Sequence, residues 1–168
     1  MSEEMFDIYD ESNQPTGIQK PRSVVHAELK DWHRATHIWI VNDKGKILCQ
    51  KRSMKKDANP GKWQSFFGGH LKAGQTYESN ALEELGEELG LDLDEKDLVP
   101  IRTSKDEDVK HFGRVYLVRW NGSEADVHLN DGEVQEVKWM SPKEIKESED
   151  QGKFASKLDK EILNRARS

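Results

Sequence analysis

The sequence predicts an α/β fold with a mixed central sheet, flanking helices and an N-terminal hairpin. Short turns join β-favouring segments, one long segment places apolar residues at helical spacing, and the elements lack the regular strand-helix alternation of a doubly wound sheet. A chain of 168 residues suits one domain spanning 1–168 and is long enough to bury a core.

Residues 6–10 and 17–20 flank the turn-rich ESNQPT and predict the N-terminal hairpin. Residues 36–41 and 46–51 predict a second one, because both are apolar and β-favouring and Asn42-Asp43-Lys44-Gly45 between them is a good turn. A basic loop covers 53–62 with Lys55, Lys56 and Pro60-Gly61, and a strand is expected from Trp63 through Ser65-Phe66-Phe67-Gly68-Gly69. Over 76–89, Leu82, Leu85 and Leu89 recur at helical spacing with Ala81 beside them, and Gly90 supplies the stop. Strands are expected at 98–103, 114–120 and 134–140, the first two separated by the charged loop KDEDVK. Ser141 then caps a helix with Pro142 in its first turn and Glu144 completing a capping box, and a last helix covers 154–165.

A net charge of −6 provides no uniform basic field, which argues against bulk nucleic-acid binding and leaves room only for a local basic patch. Cys49, the only cysteine, follows Ile47 and Leu48, so it forms no intrachain disulfide and reads as a buried thiol. No apolar run approaches the roughly 20 residues that span a bilayer. The opening MSEEMFDIYDE is acidic where a signal peptide would be basic and then apolar, so the expected compartment is the cytoplasm, with no membrane partner.

At about 100° per residue, Glu84, Glu87 and Glu88 fall within one arc of the helix over 76–89, while the leucines take the other side. Mg²⁺ prefers hard oxygen ligands and keeps several waters, so a few carboxylates beside a phosphate suffice to hold it. Alone, such an acidic face is more often plain solvated surface. The preceding residues change that balance.

Residues 69–91, GHLKAGQTYESNALEELGEELGL, resemble the Nudix box, whose pattern is G, five residues, E, seven residues, then R-E-U-x-E-E-x-G-U with U aliphatic. Gly69 takes the first glycine, Leu85 and Leu91 the aliphatic sites, and Gly90 the last glycine. The resemblance implies a Nudix-type α/β/α sandwich and a catalytic and metal-binding set of Glu84, Glu87 and Glu88, with Gly69 beside the metal. The expected ion is Mg²⁺, with Mn²⁺ as its alternative. Two positions depart: Gln75 stands for the family's glutamate, and Glu83 for the arginine that orients the catalytic glutamate. The second replaces a cation with an anion beside the metal site.

Arg22 to His26, His33-Arg34-Ala35, KILCQKRS, Pro60-Gly61-Lys62-Trp63 and Gly69-His70 resemble the Nudix branch related to isopentenyl-diphosphate isomerase. In that branch, histidines matching His26, His33 and His70 bind a second metal with a Glu-x-Glu on a later strand. Here that strand reads VKHFGRVYLVRW, and Gly68 occupies the place of the catalytic cysteine. Structural hydrogen bonding is the competing role for the three histidines. Arg52, Lys56, Lys51 and His70 are the expected substrate-binding residues, Arg52 and Lys56 at positions where the branch binds diphosphate. Glu133 or Glu136 would add a carboxylate, and Trp39, Trp63 and Phe112 would either stack on a base or fill the core.

The resemblance thus implies a Mg²⁺-dependent hydrolase cleaving the pyrophosphate linkage of a nucleoside diphosphate derivative or similar small diphosphate, since hydrolysis needs no cysteine. The alternatives are an isomerase of isoprenoid diphosphates and a diphosphate-binding module weakened by Gln75 and Glu83.

Overall fold

The computed structural model describes residues 3–56, 58–130 and 132–167. β1 (Met5–Tyr9) and β2 (Pro15–Pro21) form the antiparallel N-terminal hairpin. Helix α1 (Arg22–Glu28) follows; it buries only Val25, so its seven residues carry too little apolar periodicity to predict a helix.

β3 (His33–Val41) and β4 (Ile47–Arg52) meet antiparallel at Val41 and Ile47, on either side of the expected turn. β4 continues antiparallel to β8 (Val134–Met140) on one side and to the two-residue β5 (Trp63–Gln64) on the other. β3 runs parallel to β7 (His111–Arg119) along its whole length, and β7 runs antiparallel to β6 (Val99–Asp106). The sheet order is β5-β4-β3-β7-β6, with β8 on β4, which makes it mixed.

Residues on β3 alternate between two cores. Ile38 and Ile40 pack with Leu85 and Leu89 of α2 (Tyr77–Leu89), while Trp39 and Val41 pack with Ile145 of α3 (Pro142–Asp150) and Ile162 of α4 (Lys160–Ala166). Helices on both faces make the α/β/α sandwich. Cys49 lies in the second core, where burial pushes its thiol pKa up, as suits an inert buried group.

Three expectations need correction. Residues 65–69 form no regular strand: Phe67 bridges Ile38 and His70 bridges Ala35, but at Gly68 the backbone takes φ +139°, which breaks the ladder. The loop KDEDVK is shorter than expected, because Lys105 and Asp106 still pair with Phe112 and His111. The last helix begins at Lys160, with Asp159 as N-cap, because Phe154 is committed to the core and bridges Trp63. No helix among the described residues is long and apolar enough to cross a membrane.

Candidate active site

The site begins with how α2 is held. Thr76 caps it reciprocally with Ser79, its Oγ1 accepting from the Ser79 N–H at 3.0 Å, and Gly90 closes the other end. Inside, the fully buried Asn80 ties the helix to its surroundings: Thr36 Oγ1 donates to Asn80 Oδ1 at 2.6 Å, and Asn80 Nδ2 donates to the His70 carbonyl at 3.2 Å. The helix, β3 and the glycine-histidine loop therefore keep a fixed mutual position.

The three carboxylates are not equivalent. Glu87 is exposed and Glu84 partly buried, whereas Glu88 is only 4% exposed. Glu88 falls about 40° from Glu84 and about 60° from Leu85 around the helix, so it stands at the seam between the acidic arc and the core. The Glu84 carboxylate lies against Gly69, where a Cβ would come within 2.5 Å of Oε1. Burial first, then the neighbouring Glu87, Glu133 and Glu83, raise the Glu84 pKa, with a contact to Glu88 acting in the opposite sense. Glu84 thus touches Glu88 and stands near Glu87 beside a cradle kept clear by Gly69, and anionic oxygens of this kind suit a hard divalent cation.

Two adjoining hollows open beside these groups. The outer one, about 610 Å³, has Glu84, Glu87 and Glu133 on its wall together with Arg22, Arg52, Lys56 and Lys72. The inner one, about 160 Å³, reaches Glu88, His37, Gln50 and Phe66. Arg52 and Lys56 line both, as do Gly69 and His70. Arg52 is oriented by its hydrogen bonds to Gln64 Oε1 at 3.0 Å and the Ala58 carbonyl at 3.1 Å, and Lys56 pairs with Glu133 at 3.1 Å. Lys51 instead stands in β4 opposite Trp63 and Glu136, between the lining residues Gln50 and Arg52 but itself lining neither hollow. Glu133 is thus the late carboxylate that reaches the cleft, while Glu136 is an exposed sheet residue. Trp39 and Phe112 are buried and Trp63 packs on the second core, so these rings belong to the interior.

His26, His33 and His70 offer ring nitrogens that all lie within 4.8 Å of one another. His33 is 1% exposed, and neither of its nitrogens meets hydrogen-bond geometry; the Asp31 backbone favours its proton only weakly. Burial first, then His111 and His26, lower its pKa to about 4, and burial also lowers those of His26, His70 and His111. Neutral imidazoles at this spacing are competent metal ligands. His111, absent from the expected set, packs beside this group without belonging to it, because the parallel register places it opposite His33, with ring centroids 5.7 Å apart. The strand with no Glu-x-Glu does carry a histidine, and that was the available signal.

Around Glu83, Lys72 Nζ lies 2.6 Å from Oε1 and Gln75 Nε2 donates to Oε2. Lys72 and Asn80 were also absent from the expected set, since neither falls on a fixed position of the box.

The NUDIX domain profile matches residues 31–160. Nudix hydrolase 3 of Arabidopsis thaliana is 42% identical over 127 residues, which cover 70% of this chain but 16% of that protein. An isopentenyl-diphosphate Delta-isomerase of Brevibacterium linens is 29% identical over 159 residues, covering 90% of this chain and 85% of that enzyme. Among solved structures, DR0079 of Deinococcus radiodurans matches with a TM-score of 0.75 at 21% identity, covering 98% of this chain and 100% of that one, a likeness of fold.

Proposed function

The chain belongs to the Nudix family, and from that premise we propose that it is a Mg²⁺-dependent hydrolase that cleaves the pyrophosphate linkage of a nucleoside diphosphate derivative or similar small diphosphate. One observation carries this reading: a single cleft lined both by Glu84 and Glu87 and by Arg22, Arg52 and Lys56. A diphosphate can then present oxygens to the cationic groups while the linkage to be cleaved faces the carboxylates.

A divalent cation held by Glu84, Glu87 and Glu88 would supply charge neutralisation and lower the pKa of a bound water. The residues do the rest. Arg52, already oriented by Gln64 and Ala58, binds phosphate oxygens, and Lys56 exchanges its Glu133 partner for them. Glu84, held against Gly69 at the wall of the cleft, is the group placed to complete the metal set or to take a proton from the attacking water. Glu88, buried at the seam and in contact with Glu84, would anchor the inner end of the carboxylate set. His26, His33 and His70 form a second candidate metal set, one of nitrogen donors.

The histidine set favours isomerase chemistry, as does the resemblance to isomerases. Against it stands Gly68, where a Cβ would lie 2.0 Å from the Thr36 carbonyl oxygen, so this backbone has no room for a cysteine. The weakened-module alternative rests on Gln75 and Glu83; against it, Lys72 pairs with the Glu83 carboxylate and Gln75 donates to it.

The test is a panel of nucleoside diphosphates and triphosphates, sugar nucleotides and prenyl diphosphates, assayed with and without Mg²⁺ or Mn²⁺. Metal-dependent release of phosphate or monophosphate is expected, with Glu87→Gln and Glu88→Gln each at least about tenfold slower. Equal rates in parent and variants would refute the assignment, and allylic isomer formation from isopentenyl diphosphate would transfer it to the isomerase.

A further inference from the structure

We infer that Lys72 is a positioning residue that holds the Glu83 carboxylate out of the metal-binding set, and that Lys72, Gln75 and Glu83 together replace the arginine–glutamate pair of the family pattern. The inference rests on the proposed use of Glu84, Glu87 and Glu88 as metal ligands.

Gln75 and Glu83 are one coupled change. Gln75 Oε1 accepts from the Lys72 N–H at 2.8 Å and from Asn80 Nδ2 at 3.2 Å, which turns the amide nitrogen toward Glu83. That nitrogen donates to Glu83 Oε2. A glutamate at position 75 would oppose the Glu83 carboxylate with a second acceptor-only group, so glutamate at 83 calls for an amide at 75. The missing positive charge arrives from outside the helix: Lys72 Nζ, 2.6 Å from Glu83 Oε1, sits on the loop between Gly69 and Thr76.

Placement explains why this matters. Glu83 adjoins Glu84 in sequence and stands one helical turn before Glu87, with which it also interacts. Released from Lys72, it would be a fourth carboxylate beside the other three, able to draw a cation toward the outer end of the cleft and away from Glu88. Lys72 lines that cleft together with Glu84 and Glu87, so its charge is spent at the edge of the metal set. A group that only orients ligands typically changes metal affinity or activity by about 10–100-fold when lost.

The test is a charge cycle on the full chain: parent, Lys72→Met, Glu83→Gln, the double variant and Lys72→Arg, each followed by turnover of the best substrate, Mn²⁺ titration calorimetry and melting temperature. Lys72→Met is expected to lower turnover about tenfold or more. It should also bind Mn²⁺ at least about threefold more tightly, because a cation is removed and a carboxylate released. Adding Glu83→Gln should restore most of the turnover and reverse the tightening, and Lys72→Arg should retain far more turnover than Lys72→Met. If Lys72 only braced its loop, the double variant would be as slow as Lys72→Met and Mn²⁺ affinity would not tighten; either result overturns the inference. Should Lys72→Met unfold, Lys72→Gln, which keeps a hydrogen bond but no charge, is read by the same criteria. A parent that neither binds Mn²⁺ nor turns over any diphosphate defeats the hydrolase assignment itself, whereas an active parent matched by Lys72→Met defeats only the role of Lys72.

Discussion

Gly68 and Gly69 are neighbours with different duties. At Gly68 a side chain would meet backbone, the Thr36 carbonyl oxygen at 2.0 Å and its carbon at 2.8 Å, and the left-handed φ of +139° adds strain. Gly68→Cys should therefore lower the melting temperature, at a cost of about 1–3 kcal/mol or more, without gaining isomerase activity. Measurable proton exchange into isopentenyl diphosphate by a folded Gly68→Cys protein would contradict this. At Gly69 the three atoms nearest to a Cβ would all belong to the Glu84 carboxylate, the free end of a side chain. Gly69→Ala should leave the melting temperature nearly unchanged while lowering turnover by about a hundredfold, since an ångström of displacement at a reacting centre can cost that much. Both glycines are visible in the sequence, and the box resemblance marks Gly69 as fixed. That Gly68 excludes a side chain is a fact about Thr36, more than thirty positions away, and no local pattern contains it.

At the level of elements, legibility followed periodicity. The leucine spacing and Gly90 set the end of α2 to the residue and its start to within one, Thr76 being its cap and not its first residue, and Ser141-Pro142 with Glu144 set the start of α3, because caps and apolar stripes are local signals. Helix α1 is not legible because it buries a single side chain, and the 65–69 segment reads as a strand although it pairs with β3 only at isolated bridges. The acidic arc was legible, but the depth of Glu88 depended on how α2 rolls against the sheet. Gly86 belongs to this scale too. An added Cβ there would come no nearer than 3.9 Å to the Leu91 carbonyl oxygen, so the glycine serves neither packing nor a turn. Gly86→Ala should stabilise the helix by about 1 kcal/mol, and differential scanning calorimetry should show a rise of about 2–4 °C. A fall in melting temperature would mean that α2 needs the glycine for a close approach absent from this arrangement.

For the whole molecule, the histidines bring distant parts of the chain together: His26 from α1, His33 from β3, His70 from the loop before α2, and His111 from β7. Sequence resemblance could align three of them, but the parallel pairing of β3 with β7 is what packs the fourth beside them. Their clustering also sets how stability depends on pH in the metal-free protein. Burial first, followed by His111, lowers the pKa of both His33 and His37 to about 4, against an ordinary value of 6.5. Between those values the unfolded chain binds more protons than the folded one, so stability is retained above pH 6.5 and lost as pH falls toward 4. For His33 alone the loss is about 2 kcal/mol by pH 5. Glu84, with its raised pKa, acts in the opposite direction, but it is one group against five lowered imidazoles. Melting in the presence of a chelator should therefore drop by roughly 5 °C or more between pH 7.5 and pH 5. Added Mn²⁺ or Zn²⁺ should raise the melting temperature more at pH 7.5 than at pH 5, because a histidine must be neutral to bind a metal. A chelated protein whose melting temperature stays flat across that interval would show that the histidines are not held neutral inside the fold, and the second candidate metal set would go with them.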